Sequence, residues 1–150
     1  MVKLLDKMEK KYIKLTTKTE RMHLFPLRIY YEDTDFSGVV YHASYLRFME
    51  RARTEWLRDL GVDQRALFNA VPPFGFAVRH MDIDFIKPAL MDDELNVETA
   101  LFELGGASLV LNQKITRQSE VLVIAKVRIA CISNGKPVRL PALIKSLIRL

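Results

Sequence analysis

A lone cysteine, Cys131, leaves no intramolecular disulfide and no multi-cysteine metal site, so structural zinc is not expected. No apolar run approaches the ~18 residues a spanning helix needs. The N-terminus also lacks the apolar block and small-residue cleavage site of a secretory signal. These absences lead us to expect a soluble, cytoplasmic protein with no membrane span. Glycine and proline number six each, too few for a collagen-like or low-complexity chain. Hydrophobic residues are 49% of the 150, which suits a single core and a single domain.

The net charge of +5 would suit a nucleic-acid binder if it covered a folded face. Its distribution argues otherwise. Residues 1–21 hold seven Lys and Arg against three Asp and Glu, leaving only +1 for residues 22–150. The reading is a basic, solvated extension over 1–21 followed by one domain over 22–150, with docking of the extension to an acidic surface as the alternative. Met22 is a candidate start, because strand-like sequence begins directly after it. No nucleic-acid partner is expected.

Residues 23–32, HLFPLRIYYE, are rich in aromatic and branched side chains and read as a strand whose Pro26 belongs at an edge. Over 42–60 the spacing of Tyr45, Met49, Ala52, Trp56 and Leu60 predicts one face of a long helix, widened by Leu46, Phe48 and Leu57. Arg51 and Glu55 are placed to pair on its other side. Gly61 closes the helix, and a short second helix over 63–69 ends before Pro72 and Pro73. Period-two alternation of Met81, Ile83 and Phe85 marks a strand that Lys87 and Pro88 stop. Three further strands over 94–104, 107–117 and 121–133 are separated by turns short enough for hairpins, so an antiparallel meander is the simplest connection. After a turn at Asn134 and Gly135, Leu143, Leu147 and Leu150 sit at helical spacing. The fold class is α+β, with a long helix packed on an antiparallel sheet.

Between the first strand and the long helix lies YYEDTDFSGVVYHASY, the densest group of functional side chains. A helix N-terminus presents free N–H groups and positive dipole to negative charge developing on an oxygen. A carboxylate beside them, Asp33 or Asp35, can serve as nucleophile or base, which points to acyl transfer. The same residues also fit a helix cap and tight turn, so spacing by itself leaves function open.

The ordered set Arg28-Ile29, Thr34-Asp35, Gly38-Val39-Val40 and Tyr41-His42 resembles the active-site segment of the hotdog-fold 4-hydroxybenzoyl-CoA thioesterase family. The similarity is strongest to its Tol-Pal-associated acyl-CoA thioesterases. It continues through Tyr45, Phe48 and residues 50–55 to Phe85-Ile86-Lys87-Pro88-Ala89 and Asp92-Asp93, and covers about residues 24–145. The resemblance implies a hotdog fold, an antiparallel sheet wrapped around a central helix. It implies hydrolysis of an acyl-CoA to a free acid and CoA, without metal or organic cofactor. Asp35 then holds the place of the catalytic carboxylate, as nucleophile or as base for water. His42 matches the backbone N–H that receives the thioester carbonyl, with its side chain placed to orient water or substrate. Gly38 and Val39 shape the loop, Tyr31 matches an aromatic position near the site, and Asp33 serves the turn.

The family pairs two protomers sheet edge to sheet edge with the active site at their interface, so the resemblance also implies a homodimer or homotetramer. Lys87, Arg128, Lys136 and Arg139 are candidate contacts for CoA phosphates. Acyl-carrier-protein thioesters are a variant substrate class. A non-catalytic hotdog module that binds acyl thioesters or proteins is the alternative function, against which the acidic residue at position 35 argues.

Overall fold

In the computed structural model, residues 22–149 are described, and the basic extension expected over 1–21 lies outside them. The elements run β1 (His23–Arg28), a 3-10 turn (Tyr31–Asp33), α1 (Ser44–Asp59), α2 (Gln64–Phe68), β2 (Gly75–Phe85), β3 (Glu94–Leu104), β4 (Ser108–Arg117), β5 (Glu120–Ser133), β6 (Lys136–Pro137) and α3 (Ala142–Arg149). The sheet is antiparallel in the order β1-β3-β4-β5-β2, with β6 paired to the end of β5. Pro26 lies on an edge strand, as expected, because among the described residues β1 pairs only with β3.

The meander holds for β3, β4 and β5 but not for β2, which pairs with β5 through matches such as Met81 with Val127 and Phe85 with Val123. After Phe85 the chain leaves the ladder. The Ile86 and Lys87 N–H groups both donate to the Leu122 carbonyl, at 2.8 and 3.1 Å, and Pro88 has no N–H to continue pairing. The connection then crosses to the far end of the curled sheet. There the Ile29 N–H donates to the Asp93 carbonyl at 2.9 Å and the Asp92 N–H to the Ile29 carbonyl at 3.0 Å.

Helix α1 buries Tyr45, Phe48, Met49, Ala52, Trp56 and Leu57 against inward residues of the sheet, among them Leu95, Val97, Leu111, Ile115, Val123 and Val127. Each large side chain so buried contributes about 1.5–3 kcal/mol relative to exposure. Leu46, expected on the same face, is exposed. Arg53 is turned into the core, donating to Gln113 Oε1 at 2.7 Å and pairing with Glu50. Glu55 pairs with Arg58 one turn on rather than with Arg51. The helix ends at Gly61 with φ +87°, where the Val62 N–H donates back to the Leu57 carbonyl at 2.9 Å.

The last helix also differs in phase from expectation. Ile144 and Ile148 are buried while Leu143 is exposed, and Leu150 lies outside the described residues. The Leu140 N–H donates to the Gly106 carbonyl at 2.7 Å and its side chain is buried, so Leu140, Ile144 and Ile148 share the inward face at steps of four.

Candidate active site

The strand expected over 23–32 ends at Arg28, because the chain turns away from the sheet at Tyr30. Asp33 causes the turn. Its Oδ2 accepts the Tyr30 N–H at 2.8 Å, while the Asp33 and Thr34 N–H groups close a 3-10 turn on the Tyr30 and Tyr31 carbonyls at 3.0 and 3.1 Å. The chain next doubles back through a miniature hairpin. Thr34 bridges Val40, the Asp35 N–H donates to the Val39 carbonyl at 3.0 Å, and the Gly38 N–H donates to the Asp35 carbonyl at 3.0 Å. Gly38 has φ +81°, a conformation that only glycine adopts without strain.

At the tip, Asp35 Oδ1 accepts both the Ser37 N–H, at 2.8 Å, and the Ser37 hydroxyl. The Ser37 hydroxyl and then its N–H hold the Asp35 carboxyl below its ordinary value against slight desolvation, and His42 adds a smaller attraction. Asp35 is therefore an exposed, oriented carboxylate at neutral pH.

Helix α1 starts nine residues later at Ser44, and no side chain caps its N-terminus. The Ser44 and Leu46 N–H groups donate to the Tyr41 and Ala43 carbonyls at 2.8 and 3.2 Å, and the positive end of the helix dipole faces the loop that carries His42. His42 immediately precedes it, with its ring edge-on to Tyr41 at 4.6 Å and to Phe85 at 6.1 Å. It lines a shallow pocket of about 220 Å³ with Val40, Tyr45, Phe85, Ile86, Lys87 and Pro88. Asp35 opens onto a hollow of about 370 Å³, shared with Thr34, Tyr41, Ser44 and Arg47. His42 lines one hollow and Tyr41 the other, and their rings are in edge-on contact.

A polar wall backs the pocket. The Val40 N–H donates to the Ala89 carbonyl at 2.9 Å, and the Ala89 N–H donates to the buried Tyr45 hydroxyl at 2.9 Å. Burial pushes the Tyr45 phenol above its ordinary value, so it stays neutral.

The model of the thioesterase-like superfamily matches residues 30–148. The chain belongs to that superfamily. It is 45% identical over 124 residues to the acyl-CoA thioesterase YbgC of Haemophilus influenzae, covering 81% of this chain and 90% of that one. It is 43% identical over 120 residues to the acyl-CoA thioester hydrolase YbgC of Escherichia coli O6:H1, covering 78% and 88%. The crystal structure of a probable thioesterase from Bartonella henselae is 48% identical and superimposes with a TM-score of 0.78, covering 81% of this chain and all of that one. The fold is the hotdog fold, and the enzyme is a thioester hydrolase.

Of the residues singled out from the thioesterase resemblance, Asp35, Gly38, Val39 and His42 fall within one turn-and-helix-start unit. Lys87 joins His42 in its pocket and reaches Glu120 Oε1 at 3.5 Å. Tyr31 does not line either hollow; it is largely exposed, and its carbonyl closes the 3-10 turn. Arg128, Lys136 and Arg139 are not brought to the site within one chain. Arg128 pairs with His80, five residues along β2 from Phe85, Lys136 pairs with Ser133 at the opposite end of β5, and Arg139 follows β6. Conversely, Ser37, Arg47, Tyr45 and Phe85 contribute to the site without having been read as site residues. Arg47 carried a signal, since it lies one turn into the helix that follows the motif.

Proposed function

We propose that this enzyme hydrolyses acyl-CoA thioesters to a free acid and CoA, with Asp35 as the catalytic carboxylate. The observation that carries the reading is an exposed carboxylate, held below its ordinary pKa by Ser37, that shares one hollow with Ser44 and Arg47 at the start of α1. The thioester carbonyl oxygen lies against the N–H groups at the start of α1, and the His42 N–H is the first of them. Asp35 is nearest its acyl carbon. Its lowered pKa keeps it ionised at neutral pH, the form that can attack the acyl carbon or activate a water. In the nucleophilic course the new bond joins Asp35 oxygen to the acyl carbon, the C–S bond breaks, and CoA thiolate leaves and takes a proton. Water then cleaves the mixed anhydride, restoring the carboxylate. CoA thioesters are cytoplasmic metabolites, and the reading places the enzyme there.

The same reading makes the enzyme a homo-oligomer. Strand β2 is an edge of the sheet, bonded on one side to β5. Antiparallel pairing with β2 of a second copy, centred on His80, sets Phe85 of one chain opposite Gly75 of the other and adds a wall to the shallow His42 pocket. Light scattering of the full chain reads this directly, and a monomer at working concentration would remove it.

Thiol release from a panel of short, long and aromatic acyl-CoAs, and from acyl-carrier-protein thioesters, tests the activity. With Asp35→Asn, turnover should fall by roughly 10² to 10⁴-fold while the fold is retained, because Asn still accepts the Ser37 N–H. An unaffected Asn variant would remove Asp35 from the chemistry. Turnover confined to carrier-protein thioesters would change the substrate class.

A further inference from the structure

The connection over residues 86–93 lines the His42 pocket and is bonded to the chain on both sides of the Asp35 turn. Ala89 holds Val40 and Tyr45, Asp92 and Asp93 hold Ile29 at the entrance to the turn, and Lys87 stands at the pocket rim. The position of the whole turn relative to α1 therefore depends on what holds this connection in place.

One side chain grips it at both ends. Arg117, the last residue of β4, donates through Nη1 to Asp93 Oδ2 at 2.6 Å and to the Pro88 carbonyl at 3.4 Å. Its Nη2 donates to Glu120 Oε1 at 2.9 Å, the oxygen that also meets Lys87. Asp93 Oδ2 is further fixed by the Leu90 N–H at 2.8 Å. Pro88 and Asp93 bracket Ala89, so a single planar guanidinium sets the span on which the Ala89 carbonyl faces Val40. A lysine cannot reproduce this fork, since it offers one nitrogen where arginine offers several in a plane. The guanidinium is only partly exposed and does not line the hollows at Asp35 and His42.

We propose that Arg117 is a positioning residue for the hydrolysis: by clamping Pro88 and Asp93 it holds Ala89 against Val40 and so fixes the Asp35 turn over the start of α1. This rests on the acyl-CoA hydrolase reading. Arg117 acts through the backbone and does not touch the substrate, so its loss appears in kcat and leaves KM in place. A shift of the turn by an ångström is enough for a large rate effect. Arg117 and Asp93 keep 27% and 21% of their side-chain surface exposed, and water reaching the pair after substitution is expected to let the folded state persist.

The test uses the full chain carrying Arg117→Gln or Arg117→Lys, with kcat and KM from thiol release and residue-resolved amide hydrogen exchange. For Arg117→Gln the expected result is a kcat lowered roughly 10 to 100-fold with KM little changed. The Val40 and Ala89 amides should exchange faster while core amides such as Leu111 and Val127 keep their protection. Arg117→Lys, which still reaches Asp93, should recover part of kcat. Wild-type kcat in the folded Gln variant, a raised KM at constant kcat, or uniformly faster exchange across the sheet would each overturn the proposal. Should the Gln variant not fold, the Lys variant decides by the same readouts. Absence of acyl-CoA turnover in the wild type would count against the hydrolase reading, and the Val40 amide would still report whether Arg117 holds the turn.

Discussion

Val40 and Ala89 are joined by a single backbone hydrogen bond of 2.9 Å, and through it the turn that carries Asp35 is fastened to the connection that crosses the sheet. Ala89 is itself fully buried and passes its own N–H to Tyr45 of α1. Turn, connection and helix therefore meet at one residue without a side chain large enough to push them apart.

Tyr45→Phe removes the acceptor for the Ala89 N–H while keeping the aromatic packing. A buried donor left without a partner is destabilising by about 1–3 kcal/mol. The expected outcome is a lower denaturant midpoint at unchanged slope, together with reduced turnover, since the same residue lines the His42 pocket.

Gly38→Ala tests the conformation of the turn in isolation. No heavy atom lies within 4 Å of the added Cβ, so the penalty is that of holding φ +81° and is about 1–2 kcal/mol. Because the strain falls on the hairpin that aims Asp35, kcat should drop more than thermal stability does. Gly38→Asn, which tolerates positive φ better, should retain more activity than Gly38→Ala in thiol release.

Ser37→Ala removes the largest influence that keeps the Asp35 carboxyl below its ordinary value of 3.8, leaving the backbone donor in place. The Asp35 pKa then rises, and the acid limb of kcat/KM moves to higher pH. At pH 7 the carboxylate is ionised in both proteins, so the rate there should change little through this cause. A pH–rate profile in which the acid limb stays put would show that it does not report Asp35.

Cys131 is fully buried among core residues of β5, and desolvation pushes its thiol up to about 11. It should resist a thiol-specific reagent in the native protein at neutral pH and react fully once unfolded. The enzyme should accordingly keep its activity after such treatment.

Much of the fold was legible because the strands carry their own punctuation. Strand β3 has the bounds expected for it, β4 and β5 differ by one residue at their starts, and the face of α1 formed by Tyr45, Met49, Ala52 and Trp56 is the buried one. Periodicity reports which face a residue occupies and says nothing about neighbours. The pairing of β2 with β5 was therefore not legible, nor was the phase of α3, which Leu140 sets from outside the helix.

The site divides along the same line. Asp35, Gly38, Val39 and His42 could be picked out together because they lie within eight residues of one another, while the roles proposed for them come from the family resemblance and not from the turn itself. Tyr45 and Phe85 were marked by spacing as core and strand positions, and only the packing of α1 and β2 brings them to the His42 pocket, while Arg117 meets the connection behind it through β4. Arg128, Lys136 and Arg139 were chosen on charge alone, and charge does not locate a residue in three dimensions.

Among the described residues β3 is the sheet partner of β1, and Arg28 pairs with Glu94 across 66 residues of chain. A nascent chain that has emerged only through β2 holds every residue of the Asp35 turn and the whole of α1 yet lacks the partners of Ile29 and Val40. The contacts that hold the turn are thus long-range ones, the class that in general forms more slowly than a local helix.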